Sequence, residues 1–177
     1  MIHKSILLGA AGLLAFAGAV PAVAADTGPT DPEIAHIAYT AGVLDIIAAK
    51  QALAKSQNPT VRSFAEVMVR DHEAVNVMAL DLVKKLKVTP AANPISTSFS
   101  EQASATEKKL AALSGADFDR AYAENEAAYH RAVNAALDAT LIPSADNKEL
   151  KTLLETGLTL FREHQAHAEH LADTLKK

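Results

Sequence analysis

The stretch VRSFAEVMVRDHEAVNVMALDLVKKL (61–86) carries an apolar stripe at helical spacing. Each residue of an α-helix advances about 100° around the axis. Val61, Ala65, Met68, Val75, Ala79, Leu82 and Leu86 therefore fall on one face, which predicts an amphipathic helix turned toward a core. One polar residue interrupts that face, for His72 sits in its middle. The run FREHQAHAEHLADTLKK (161–177) repeats the anomaly. With the residues before it, Leu153, Gly157, Leu160, Leu171 and Leu175 define a stripe. His164 and His167 fall within it one turn apart, and His170 lies round toward the rim.

Working outward, the breaks in the chain supply the remaining elements. Asp31 before Pro32 reads as an N-cap with proline in the first turn, opening a helix over about 32–56. Asn58 and Pro59 repeat the device and open a second helix to about 88. VTPAANPIST (88–97) reads as a linker, because two prolines among Asn, Ser and Thr stop regular structure. A shorter polar helix is expected over 98–113. SGADFD (114–119) offers Ser114 and Asp117 as a capping box for a third long helix ending near 140. LIPSADN (141–147) breaks the chain again, and a last helix is expected over about 146–175. No stretch alternates with period two, so strands are not expected. Four long amphipathic helices, with an additional short helix in the middle connection, predict an all-α four-helix bundle.

The chain has 177 residues, no Cys, no Trp and a net charge of −4. Its opening, MIHKSILLGAAGLLAFAGAVPAVAAD (1–26), sets Lys4 ahead of an apolar run over 6–20, followed by Pro21 and Ala22-Val23-Ala24. That is the layout of a secretory signal peptide cleaved near Ala24 or Ala25, and the apolar run is short for a membrane span. The expected organisation is a signal peptide at 1–25 and one domain at 26–177, exported to the periplasm or cell envelope with no membrane span after cleavage. About 150 mature residues suffice to bury a core. Lack of Cys excludes a lipoprotein anchor, disulfides and thiolate chemistry. Mild acidity without a basic patch argues against nucleic acid, and no Gly-rich phosphate loop is present.

The same placement puts Asp45 on the inward face of the first helix, among Ile34, Ala38, Ala41, Ala48 and Ala52. In the third long helix Glu126 and His130 lie one turn apart on the stripe of Tyr122, Tyr129, Val133 and Thr140. An unpaired charge in a core costs several kcal/mol, on the order of its desolvation. Asp45, His72, Glu126, His130, His164 and His167 therefore read as metal ligands projected inward from separate helices. Mixed imidazole and carboxylate donors suit zinc, copper, iron or manganese. Asp71 and Asn76 would stand behind His72, and Tyr122 and Tyr129 would flank the ligands from the same inward stripe. A buried polar hydrogen-bond network and a solvated groove remain open as readings of the same residues.

VRSFAEVMVRDHEAVN, FDRAYAENEAAYH and LIPSADNKELKTLL…FREHQAHAEHL resemble the exported bacterial proteins grouped as domain of unknown function 4142. The resemblance covers the mature chain. It rests on Asp71-His72, on Phe118 to Tyr122, and on His164 to Ala168. It implies a ferritin-like bundle in the cell envelope and no particular activity. Ferritin-like di-iron bundles carry two Glu-x-x-His motifs; here the only one is Glu33 to His36, and His36 points away from Asp45. The expected function is metal buffering, sensing or envelope stress protection. The alternatives are a non-catalytic structural or interaction protein without metal and a metal-dependent oxidoreductase. No nucleophile or general base stands apart from the ligands, which argues against an enzyme.

Overall fold

Asn side chains set the start of three helices. Asn58 accepts from the N–H groups of Thr60 and Val61, Asn93 from those of Ile95 and Ser96, and Asn147 from those of Glu149 and Leu150. Each thereby satisfies donors that a helix leaves without intrahelical partners. The computed structural model describes residues 28–176, so the expected signal peptide at 1–25 lies outside them. The elements are α1 (Asp31–Lys55), α2 (Pro59–Leu86), α3 (Pro94–Ala111), α4 (Gly115–Ala136), a π-helical turn (Leu137–Leu141), α5 (Ile142–Ser144) and α6 (Lys148–Leu175). The described residues are all-α, with no strand among them.

Several boundaries differ from the sequence reading, each for a local reason. Thr30, not Asp31, caps α1: the Glu33 carboxylate accepts from the Thr30 N–H and hydroxyl. Asp31 instead accepts the N–H groups of Asp146 and Asn147, both at 3.0 Å, tying the start of α1 to the loop before α6. α3 begins at Pro94, inside the stretch read as linker. Proline fits a first helical turn because the N–H it lacks would be unpaired there anyway. Ser114 makes no side-chain cap on α4, and Asp117 pairs with Arg120 instead. The helical path continues through the π turn to Ser144, so the break lies at 145–147 rather than from 141.

α1 packs along α2, and α4 along α6; α2 also meets α6, α1 meets α4, and α3 lies across α1 and α4. Two apolar clusters result. One contains Ala49, Ala52, Phe64, Met68, Phe118, Tyr122 and Leu171; the other Ile34, Ile37, Val133, Leu141, Leu154, Leu158 and Phe161. α1 and α6 run from the second cluster to the first, while α2 and α4 run the opposite way. Each fully buried large side chain here contributes roughly 1.5–3 kcal/mol over exposure. α1 is long and apolar enough to cross a membrane, with a window of mean hydropathy 1.3. In the fold its Ile34, Ile37, Ala49 and Ala52 are buried in the clusters.

Candidate metal centre

Between the two clusters the stripes turn polar on every long helix. Asp45 enters from α1, His72 from α2, Glu126 and His130 from α4, and His164 from α6; none is more than 3% exposed. One donor atom from each of His72, His130 and His164 lies within 4.8 Å of the others, and so does one from each of Asp45, Glu126 and His130. The two groups share His130. His130 Nε2 lies 3.4 Å and His72 Nε2 3.6 Å from Asp45 Oδ2.

Surrounding groups decide which nitrogen of each ring is available. His130 Nδ1 donates to the Glu126 backbone carbonyl at 3.0 Å, which leaves Nε2 with its lone pair turned toward Asp45. His164 Nε2 donates to Asp71 Oδ2 at 3.0 Å, which leaves Nδ1 with the lone pair. Metal-binding imidazoles are held in this way, with the second nitrogen anchored on a carbonyl or carboxylate. His72 lies flat against Phe161, ring centroids 4.7 Å apart at 16°. Asp71 is itself fixed by Arg70 at 2.7 Å. It supports His164 rather than its chain neighbour His72.

The inward-facing atoms are left without protein partners. Asp45 Oδ1 and Oδ2, both nitrogens of His72, His130 Nε2, His164 Nδ1 and Glu126 Oε2 are buried with no hydrogen-bond partner among the described residues. An unsatisfied buried polar atom costs roughly 1–3 kcal/mol. Several such atoms facing one another form a donor set in want of a shared proton or cation.

Electrostatics favour the neutral, ligating form of His72 and His130. Burial, with help from nearby His164, pushes His72 down to about 3. Burial also lowers His130, although Asp45 opposes it. Asp45 is raised by burial against the pull of His130 and His164. Glu126 is raised well above the usual carboxyl range by burial and then by the charge of Asp45. The spacing of the rings also suits an ion. Their centroids lie 5.7 Å (His72–His130), 5.3 Å (His72–His164) and 5.4 Å (His130–His164) apart. Nitrogens ~2 Å from a tetrahedral zinc would set their ring centroids about 5 Å apart.

The sequence matches the family described as Domain of unknown function (DUF4142) over residues 17–171. The chain belongs to the DUF4142 family. No curated protein and no solved structure matches it. Every residue of the centre in this DUF4142 chain falls within the matched span.

Of the residues singled out from the sequence, Asp45, His72, Glu126, His130 and His164 come together. His167 does not join them. It is exposed, with its ring edge-on to Phe64 at 5.0 Å. The buried face of α6 steps from His164 to Ala168, not to His167, because the packed stripe alternates three- and four-residue steps. Tyr129 donates its hydroxyl to the Ala41 carbonyl at 2.9 Å, and the buried Tyr122 hydroxyl has no protein partner. Burial raises both phenols well above their ordinary value, so both stay protonated. Asn76 is buried against α1, where a Cβ at Gly42 would meet its Oδ1 at 2.3 Å. His36 sits outside the centre beside the Thr40 hydroxyl at 3.4 Å. Sequence reasoning missed Phe161 as the plate under His72; its place one turn before His164 on the same stripe was the available signal.

Proposed function

We propose that this chain is an exported, ferritin-like four-helix bundle of the cell envelope that binds one transition-metal ion through His72, His130, His164 and Asp45. Glu126 adjoins as a further oxygen donor. The observation that carries the reading is the meeting of buried donor atoms without partners, with the outer nitrogens of His130 and His164 already anchored. Three imidazoles and a carboxylate suit zinc, copper, iron or manganese, and no thiolate is available to select a softer ion. The role that fits is to store, buffer or sense the ion, because no separate nucleophile or base accompanies the donors. Export is supported by the leader-like composition of 1–25.

Calorimetric titration of chelator-stripped protein with zinc, copper(II), iron(II) and manganese(II) tests this. At least one is expected to bind with one-to-one stoichiometry, and His130→Ala to weaken it about 100-fold or more. Asp71→Asn, which frees the outer nitrogen of His164, is expected to weaken it roughly 10–100-fold. Bound ion at about 100 times its Kd raises stability by about 2.7 kcal/mol. Flat titrations with all four ions would remove the reading.

A further inference from the structure

A cavity of about 230 Å³ lies between α1, α3 and α4. Leu44, Ala48, Phe99, Ala103 and Leu110 give it apolar walls, and the partly exposed Ile47 also lines it. Asp45 and Glu126 line it as well, although none of the imidazoles of the metal centre does. The cavity therefore adjoins the centre on its carboxyl side.

On its α1 and α4 walls the hydrogen-bonding groups are one-sided, while the Ser104 and Thr106 hydroxyls on the α3 wall can donate or accept. The α1 and α4 donors already have acceptors: Asn125 Nδ2 donates to Glu126 Oε1, Gln51 Nε2 to the Glu107 carbonyl and the Tyr129 hydroxyl to Ala41. The acceptors lack donors: Gln51 Oε1, Glu126 Oε2 and both Asp45 oxygens are buried without partners. Glu107 adds a third acidic residue to the lining, which contains no Lys, Arg or His. An anion or a carbonyl compound would bring acceptors to acceptors, and a purely apolar guest would leave all of them unsatisfied.

We propose that this cavity binds a small organic ammonium ion, its apolar body against α3 and its nitrogen donating to Gln51, Asp45 and Glu126. Its N–H groups supply the donors that these buried carboxyl oxygens lack, and N–H donors on a cation form the stronger class of hydrogen bond. Water occupies about 30 Å³ per molecule in the liquid, so the space takes a ring or short chain rather than a polymer. One consequence rests on the metal reading above. The ammonium and the metal ion draw on the same two carboxyls, so each weakens the other by the same factor.

Benzylamine, benzyl alcohol and benzoate share one ring and differ in charge and donors. Their binding to the metal-free protein, followed by NMR shifts, tests the site. Benzylamine is expected to bind about tenfold or more tighter than benzyl alcohol, a difference of ~1.4 kcal/mol. Benzoate is expected not to bind, and the shifts should centre on Ala48, Ala103 and Ala132. Ala103→Phe fills the cavity from α3 while leaving every carboxyl and imidazole in the sequence, and should abolish benzylamine binding. Glu126→Gln should remove the preference for the amine over the alcohol. Equal binding of all three probes, shifts elsewhere, or unchanged binding in Ala103→Phe would overturn the proposal. Zinc affinity of the unsubstituted protein should fall as benzylamine saturates, and should not change in Ala103→Phe. If none of the four ions binds, the metal reading falls, while the amine series on metal-free protein still decides the cavity.

Discussion

Along the same four helices, the layer of Ile34, Val75, Val133, Leu154 and Phe161 lies next to the layer of Asp45, His72, His130 and His164. Apart from the partly buried Val75, both are buried to a similar degree. In the apolar layer any neighbour of the right shape satisfies a side chain, because dispersion and exclusion of water have no direction. In the polar layer each atom requires a partner at a given angle, and the protein itself supplies partners only on the outer side of the rings. Apolar clusters on both sides over-determine the positions of the helices. They can therefore hold between them a layer that is not self-sufficient.

The two layers respond oppositely to truncation. Leu154→Ala removes buried methyl groups and is expected to cost about 3 kcal/mol by chemical denaturation, with or without metal. His72→Leu should do the reverse in metal-free protein, raising stability by about 2 kcal/mol, because it removes two unpartnered nitrogens and keeps volume against Phe161. The same variant should lose metal binding. A loss of stability in His72→Leu equal to that of Leu154→Ala would erase the distinction between the layers.

The effect that is smallest per pH unit is the most diagnostic. His72 takes up a proton near 6.5 in the unfolded chain and at about 3 in the fold, so between those values the unfolded state binds more protons. The contribution of His72 to the stability of the metal-free protein should therefore be fully present above pH 6.5. It should fall by about 1.4 kcal/mol per pH unit as pH drops through that window. Glu126 acts the other way. Its pKa is raised from 4.5, so its contribution is present below 4.5 and is lost as pH rises above it. Denaturation midpoints against pH should show an acid limb that His72→Leu flattens and an opposing limb that Glu126→Gln flattens. Leu154→Ala should shift the curve without changing its shape.

Much of this arrangement was legible in the sequence. Apolar spacing located α2 and α6, and His72 and His164 stood on those stripes as exceptions, which a 100° advance per residue detects. The error at His167 shows where that arithmetic stops. Two steps of three residues remain near one face on an isolated wheel, but packing against α2 and α4 selects the Ala168 side. The start of α3 was hidden because Asn93-Pro94 serves equally as a turn and as a cap, and only the covered surface decides between them. The cavity could not be foreseen. It depends on how α3 lies across α1 and α4, and α3 brings mostly apolar and neutral polar groups to that space, with Glu107 its one ionisable residue there. Asp71 pairs across helices with a residue 93 positions away, a distance no local pattern encodes.

The carboxylate of Asp31 holds backbone donors 115 and 116 residues further along the chain. A ribosome delivers Asp31 long before Asp146 and Asn147 exist, so this clasp can close only after α1 to α5 have been made. Bringing together ends so far apart in a flexible chain costs about 4 kcal/mol in entropy, more than two hydrogen bonds return. The clasp must therefore follow the docking of α1 and α6 onto their neighbours. It fastens a nearly finished molecule rather than starting one.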